Sequence, residues 1–368
     1  MSAFDRFFHA PYGASRAYLF ARGFLLLLAL DTFMLMIGHA GRYGVAGFNV
    51  AHFGWLDALQ PTPTAASYIA VLLLTGLLAL VIAFSGLSRP ALAALFGLYT
   101  FSWSMSMLDS YQHHYFVSLV LLCLVFFPEN AATAIHPLSE AVPADRQKGK
   151  RKLGQERAEQ SERKGWLYAG SLVVICTVYA VIDTSAHVLP AFMLFAAALG
   201  LATYLYRPTP GPSGLLLTRG FGFPLLGVSV GIVYTYTAIA KTDANWLAGH
   251  TLLRISAAEE VFAGVTDYAL RLGLPHERFF ALLSSAVVPQ ELSVALCYVL
   301  AVHPARERSR FLRAACLIGF VLAVVLHVGA EAMRLEIGWF SYYMLLLACC
   351  FLLPLAVVDR LVLSLIHI

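Results

Sequence analysis

The sequence predicts an all-α fold, a polytopic bundle of helices that is integral to a membrane. Of the 368 residues, 60% are hydrophobic and only 12% are charged, and the mean hydropathy is +0.74. A soluble domain needs a more polar surface than this composition can supply. The apolar residues are also gathered in stretches, most of them long enough to cross a hydrocarbon core of about 30 Å as a helix. Basic residues cluster between particular stretches, as they do in membrane proteins.

About ten apolar stretches are candidate spans. The fourth is short, and the fifth and sixth form a tight hairpin. The first follows a basic, aromatic segment and is long enough to span, so it does not have the pattern of a cleavable signal peptide. The stretches lie near residues 19–40, 66–85, 91–108, 114–128, 166–183, 188–206, 221–239, 281–302, 314–330 and 339–358.

The distribution of Lys and Arg orients these spans, because cationic loops remain on the cytoplasmic side. With the N-terminus inside, most of the 25 Lys and Arg residues lie in cytoplasmic segments. An odd number of spans would break this asymmetry, so both termini are predicted to be cytoplasmic. The polar tract 139–164 is typical of a solvated cytoplasmic loop with a basic patch near anionic lipid, and we expect no nucleic-acid partner.

Ionisable residues near the ends of the spans gather on the outer side in this orientation. Such residues are costly at membrane depth unless they line a wet cavity or pair with one another. The sequence therefore predicts one outward-facing polar pocket. Asp31, within the first span, is a further buried carboxylate. The candidate members of the pocket are Asp109, Gln112, His113 and His114 after the third span, Lys241 and Asp243 after the seventh, and His327, Glu331, Arg334 and Glu336 around the end of the ninth.

Lys241 has two possible roles. A lysine at the end of a membrane helix is commonly an anchor whose ammonium group reaches the lipid headgroups. It can also be a base in a half-dry pocket, because a free lysine has a pKa of about 10.4 and serves as a base at neutral pH only where low polarity disfavours its charged form. Trp246, Tyr234 and Tyr236 provide such surroundings, whereas a carboxylate such as Asp243 close to the lysine favours the ammonium. The residues alone leave both roles open.

The histidines also have ordinary interpretations. His113 and His114 lie in the short loop YQHHY, where interfacial Tyr and His residues are common. His327 lies deep in an apolar run, so it must be satisfied inside the bundle or face a cavity. We expect no metal site, because HxxxH and HxxHH boxes are absent and two adjacent histidines rarely chelate one ion. The six cysteines contain no CxxC pair and are typical of small core residues.

Five stretches of the chain resemble the vitamin K-dependent gamma-carboxylases and their bacterial relatives, whose shared membrane region is called the HTTM domain. Their order and spacing agree with the family apart from one large insertion, and the second, fourth and fifth are the specific ones. The stretches are FDRFF near the start, FGWLDALQPTPTAASY (53–68), MLDSYQHHYFVSL (107–119), YTAIAKTDANWLAGH (236–250) and IGWFSYYML (337–345).

The resemblance implies a domain organisation and a location. Residues 1–130 form a membrane region with the first four spans, and 213–368 form one with the last four and the lysine motif. Residues 131–212 are an inserted cytoplasmic loop and a two-span hairpin, which leaves eight family-type spans. The expected protein is a bacterial homologue in the inner (cytoplasmic) membrane, without the large lumenal C-terminal domain of the mammalian enzymes and with its active site toward the outer side.

The resemblance also implies a chemistry. In the family, a lysine in a K-x-D-A-x-W context deprotonates reduced vitamin K, and a histidine assists; the matching residues here are Lys241 and His114. The family oxygenates reduced vitamin K, of menaquinol or phylloquinol type, with O2, and the strongly basic oxygen that forms removes a proton from a glutamyl γ-carbon, to which CO2 adds. The remaining pocket positions are His113, Asp243, Trp246, His327, Ser341 and Tyr342.

Expected partners are membrane lipid, a quinone, and a peptide or protein substrate on the outer side. Two other functions stay open. The first is a non-carboxylating HTTM protein in maturation or export of a secreted peptide, in which Lys241 is structural. The second is a transporter or channel, which predicts inverted repeats and polar residues on both faces, and the sequence shows neither.

Overall fold

The computed structural model describes residues 7–8, 12–39, 64–104, 112–127, 217–218, 220–256, 260–332 and 339–359. Helices dominate these ranges, as the sequence predicts for an all-α protein. The chain divides into two compact units, which we call the N-terminal unit (residues 11–222 and 359–368) and the C-terminal unit (residues 1–10 and 223–358). The inserted loop and hairpin predicted at 131–212 lie outside the described residues.

Within the described residues, five helices are long and apolar enough to cross a membrane. They correspond to the first, second, seventh, eighth and ninth predicted spans, which confirms the prediction of an integral membrane protein. The helices at the third, fourth and tenth positions are shorter, with 16, 14 and 12 residues. The fifth and sixth predicted spans fall outside the described part of the chain, so the total of ten stays a prediction.

The N-terminal unit is a series of helices in which each helix packs against the next. A short antiparallel strand pair joins its first residues to the segment before residue 220. The helix α2 begins with a capping box, because the Oγ1 atom of Thr64 accepts the backbone N–H of Ser67 at 3.1 Å and Ser67 Oγ accepts the N–H of Thr64 at 2.9 Å. The elements are β1 (Tyr12–Gly13), α1 (Ala14–Asp31) with a π-helical continuation (Thr32–Met36) and a last turn (Ile37–His39), α2 (Ala65–Ser85), α3 (Arg89–Ser104), α4 (Gln112–Val125) and β2 (Leu217–Thr218).

The C-terminal unit is built around the long helix α9. Helix α5 packs on it through the stacked rings of Tyr234 and Tyr298, whose centroids are 5.8 Å apart. Helix α10 is joined to α9 where Gln290 Nε2 donates to the carbonyl oxygen of Leu322 at 2.9 Å. The elements are α5 (Gly222–Ala240), α6 (Ala244–Leu247), α7 (His250–Ser256), α8 (Glu260–Arg271), α9 (His276–Ala301), α10 (Arg310–Ala332) and α11 (Phe340–Phe351).

A buried arginine closes the end of this unit opposite the start of α9. The guanidinium of Arg306, in the turn between α9 and α10, donates to the carbonyl oxygens of Leu352 and Leu353 at 2.8 Å each. These carbonyls follow the last residue of α11 and have no intrahelical donor, so the arginine satisfies them. Burial lowers the pKa of the Arg306 guanidinium, but arginine stays charged in proteins, so its hydrogen bonds to the two carbonyl oxygens are retained.

The outward faces of the long helices suit a lipid environment. On α10 a stripe of large apolar side chains is exposed, and the opposite face is buried against α9 and α11. In water such a stripe would be costly, whereas acyl chains solvate it. The stripe is formed by Phe311, Leu317, Ile318, Val321 and Val325.

Candidate functional site

Lys241 is the first residue after α5, and its amine is directed toward α9. The Nζ atom lies 2.6 Å from Oε1 of Glu291, and the two side chains are 24% and 6% exposed. Glu291 sits in the middle of an apolar helix, two residues after Pro289. The carboxylate is thereby shielded from bulk water while the amine is partly exposed, so the attraction between them is stronger than in a fully exposed pair.

Asp243 has a different role from the one that its proximity to Lys241 suggested. Its Oδ1 atom accepts the backbone N–H groups of Asn245 at 2.9 Å and Trp246 at 3.1 Å. This is the N-cap of α6, which satisfies two of the helix's first donors. The carboxylate that pairs with Lys241 is therefore that of Glu291, and Asp243 shapes the segment that follows.

The segment 243–250 is fastened to α9 at two points. The indole Nε1 of Trp246 donates to the carbonyl oxygen of Ser284 at 3.0 Å, and its ring lies 5.4 Å from Lys241 Nζ, within cation–π range. Gly249 has a φ of +78°, and a Cβ atom there would lie 2.4 Å from the backbone nitrogen of Ala281. Glycine is needed for both reasons, the left-handed backbone and the close approach.

A second polar contact lies on the same helix, two turns before Lys241. The hydroxyl of Tyr234 is 2.7 Å from Nε2 of His327 on α10, and both side chains are buried. Tyr234 also packs on α9, the helix that carries Glu291, through its stacking on Tyr298. The ion pair and the Tyr234–His327 bond therefore belong to one polar cluster, which we call the lysine cluster: Lys241, Glu291, Tyr234 and His327.

Glu331 extends this arrangement by one turn of α10 beyond His327. The hydroxyl of Tyr342 donates to its Oε2 at 3.4 Å, and the buried Ser341 precedes Tyr342 in the first turn of α11. His327 contacts the ring of Phe340 edge-on, with centroids 6.0 Å apart. The residues predicted from the ninth and tenth spans are thus brought together at the α10–α11 contact.

The two predicted histidines before the fourth span belong to the N-terminal unit. Nδ1 of His114 is 2.9 Å from the hydroxyl of Tyr99, so α4 and α3 are joined there. His113 precedes it in the first turn of α4 and is partly buried. Their association with Lys241 in a single pocket stays a prediction. Asp109, Arg334, Glu336 and the side chain of Gln112 lie outside the described part of the chain.

Glu291 is the functional candidate that sequence reasoning missed. The apolar stretch around it, VVPQELSVAL, predicts a membrane span by its hydropathy and does not by itself draw attention to a single carboxylate. A signal was present, because a carboxylate within a membrane helix needs a partner and is a functional candidate by default. The residues Pro-Gln-Glu at mid-span were that signal.

The cluster offers a cation, a carboxylate and an unused acceptor. Oε2 of Glu291 is buried and has no hydrogen-bond partner among the described residues. The described residues contain no group of three or more His, Cys, Asp or Glu that could hold a metal ion. The arrangement is thus suited to holding a hydroxyl-bearing ligand and moving its proton. Comparisons of the chain with models of protein families, with curated proteins and with solved structures find no match.

Proposed function

We propose that this chain is a membrane enzyme of the vitamin K-dependent gamma-carboxylase-like kind, which oxygenates a reduced naphthoquinone to its epoxide at the Lys241–Glu291 pair. The observation that carries the proposal is the pair itself. A partly exposed ammonium lies 2.6 Å from a buried carboxylate whose second oxygen has no partner among the described residues. That combination can bind a phenolic hydroxyl and take its proton.

The residues around the pair fit a lipid-soluble ring with a hydroxyl group. Lys241 is partly accessible, and Trp246 places an aromatic ring beside its ammonium. Both partners are attached to membrane helices, so a hydrophobic ligand can approach from the bilayer. When bound, the reduced quinone supplies the redox chemistry: with O2 as oxidant, one quinol and one O2 give one epoxide and one water.

The chain's own residues then have defined tasks. The Lys241–Glu291 pair removes the hydroxyl proton, and the resemblance assigns the base to the lysine. Tyr234 holds His327 in one orientation through the 2.7 Å contact. Asp243 caps α6 just after Lys241, and Trp246 joins α6 to α9. Carboxylation of a glutamyl side chain with CO2, on the outer side of a bacterial inner membrane, is the second half of the proposed reaction.

The test uses the purified full chain in lipid nanodiscs with reduced menaquinone, O2 and bicarbonate, and chromatography of the quinone products. We expect epoxide from the wild type and a loss of at least about 100-fold in Lys241→Ala, which is the size of a general acid–base contribution. Arg271→Ala is the matched control, because it also removes one cation but from an exposed position at the end of α8. A wild type that forms no epoxide under these conditions overturns the proposal.

The same ion pair also favours a second function. A lysine paired with a carboxylate at 2.6 Å is what a purely structural lysine in a membrane bundle requires. In that case the chain is a non-carboxylating HTTM protein that acts in maturation or export of a secreted peptide. It predicts that Lys241→Ala lowers the thermal stability and that the wild type converts no quinol.

A further inference from the structure

We infer that Glu291 is the proton acceptor of this site, and that Lys241 remains an ammonium that holds the oxygen from which the proton is taken. This assignment rests on the proposed function, because the proton in question is that of a bound quinol hydroxyl. It gives Glu291 the role of base, which the sequence resemblance assigns to Lys241. Three features of the lysine cluster lead to it.

The first feature is the short ion pair. An ammonium group has three N–H donors and no lone pair, so it cannot accept a proton while it is charged. Glu291, 2.6 Å away, stabilises that charged form. The basic atoms that the paired state presents to a ligand are therefore the carboxylate oxygens, and the amine nitrogen is not one of them.

The second feature is the unused oxygen of Glu291. A carboxylate can accept about four hydrogen bonds, and buried polar atoms are nearly always satisfied. Oε1 is engaged by Lys241, whereas Oε2 is buried and has no partner in the described part of the chain. We expect this buried acceptor to be satisfied by a ligand hydroxyl that donates to Oε2.

The third feature is the accessibility of the pair. A purely structural pair is best protected when both partners are enclosed, but the Lys241 side chain is 24% exposed and that of Glu291 only 6%. The carboxylate is thus placed behind the ammonium. A ligand that approaches Lys241 finds the cation first, so the ammonium can orient its oxygen before the proton moves.

The proton transfer balances without any further reactant. The O–H bond of the ligand breaks, its proton forms a bond with Oε2 of Glu291, and its electron pair stays on the ligand oxygen. The ammonium of Lys241 keeps all its protons and donates a hydrogen bond to that oxygen. The negative charge moves from the carboxylate of Glu291 to the ligand oxygen, and both positions lie next to the ammonium of Lys241. Oxidation by O2 is a separate, later step.

Four variants of the full chain in nanodiscs separate this assignment from a lysine base. Arginine keeps the positive charge of Lys241 but cannot give up its proton. We therefore expect Lys241→Arg to retain epoxide formation within about 10-fold of the wild type, and Lys241→Ala to lose at least about 100-fold. Glu291→Gln, which keeps the shape but not the basicity, should lose as much as Lys241→Ala, and Glu291→Asp should recover part of it.

A second readout does not depend on turnover. Without O2, addition of reduced menaquinone to the wild type should produce an infrared band of a protonated carboxyl group, and Glu291→Gln should lack that band. Thermal unfolding of each variant shows that the fold is retained. Glu291→Asp tests the same carboxyl chemistry if the glutamine variant does not fold.

The outcomes distinguish a failure of the Glu291 assignment from a failure of the proposed function. If the wild type forms epoxide, but Lys241→Arg is as inactive as Lys241→Ala and Glu291→Gln stays active, the lysine is the base and only the present assignment fails. Identical infrared spectra for the wild type and Glu291→Gln also overturn it. If the wild type forms no epoxide, the proposed function fails and the assignment falls with it.

Discussion

Replacement of Tyr234 by Phe removes a single oxygen from the buried part of the C-terminal unit. That hydroxyl lies 2.7 Å from Nε2 of His327, and the two side chains are 4% and 5% exposed. The aromatic ring remains, so its stacking on Tyr298 is retained. The substitution therefore isolates one hydrogen bond between α5 and α10.

The expected cost follows from this geometry. Hydrogen bonds between the helices of a membrane protein contribute about 0.6 kcal/mol on average and about 1.7 kcal/mol at most. The contact here is short and excluded from solvent, and its loss leaves the buried ring nitrogen without the tyrosine hydroxyl. We therefore expect Tyr234→Phe to lower the free energy of unfolding by about 1 to 2 kcal/mol.

The assay is reversible unfolding in detergent micelles titrated with SDS. Tyr236→Phe is the matched control, because it makes the same change two residues later on α5, where the side chain is 67% exposed; it should leave the stability unchanged. A double-mutant cycle with His327→Ala separates the loss of the bond from the cavity left by the imidazole. Equal effects of the two tyrosine variants, or no coupling between Tyr234 and His327, would refute the reasoning.

Substitutions at three other positions test the local structure of the C-terminal unit. Asp243→Ala should lower the unfolding free energy by about 0.5 to 2 kcal/mol, because it removes the N-cap of α6. Asp243→Asn should cost less, since Asn is also a good cap. Thermal unfolding measures both effects. Gly249→Ala should destabilise by more than about 1 kcal/mol because of its positive φ and the contact with the α9 backbone, whereas Gly264→Ala in α8, where an added Cβ meets nothing within 4 Å, should be neutral or stabilising. Arg306→Met should lower the unfolding free energy by about 1 to 3 kcal/mol, because the carbonyl oxygens after α11 lose their donors. A variant as stable as the wild type in SDS titration would contradict a stabilising role of these hydrogen bonds.

The membrane helices could be predicted from the sequence because length and hydropathy are local properties. Helices α1, α2, α5, α9 and α10 occupy stretches that are apolar enough and long enough to span without reference to any neighbour. The position of Lys241 at the end of α5 follows for the same reason, since the helix ends at Ala240, one residue before it.

The partners inside the cluster could not be predicted in this way. Asp243 is two residues from Lys241, and the sequence leaves open whether its carboxylate acts on that lysine or on a neighbouring group. The actual N-cap role was within reach, because an Asp before a short helical turn is a common cap. Whether Asp243 caps α6 or pairs with Lys241, however, depends on whether another carboxylate faces the amine.

By itself, the sequence determined which segments are long and apolar enough to cross a membrane and which of them ends in a lysine, because the cost of burying polar groups in lipid acts on each segment separately. The tertiary structure decided what that lysine contacts. Glu291 is 50 residues away along the chain, and only the packing of α5 against α9 places its carboxylate beside the amine. An ion pair depends on a distance of a few ångströms between side chains on different helices, and that distance is a property of the packed unit.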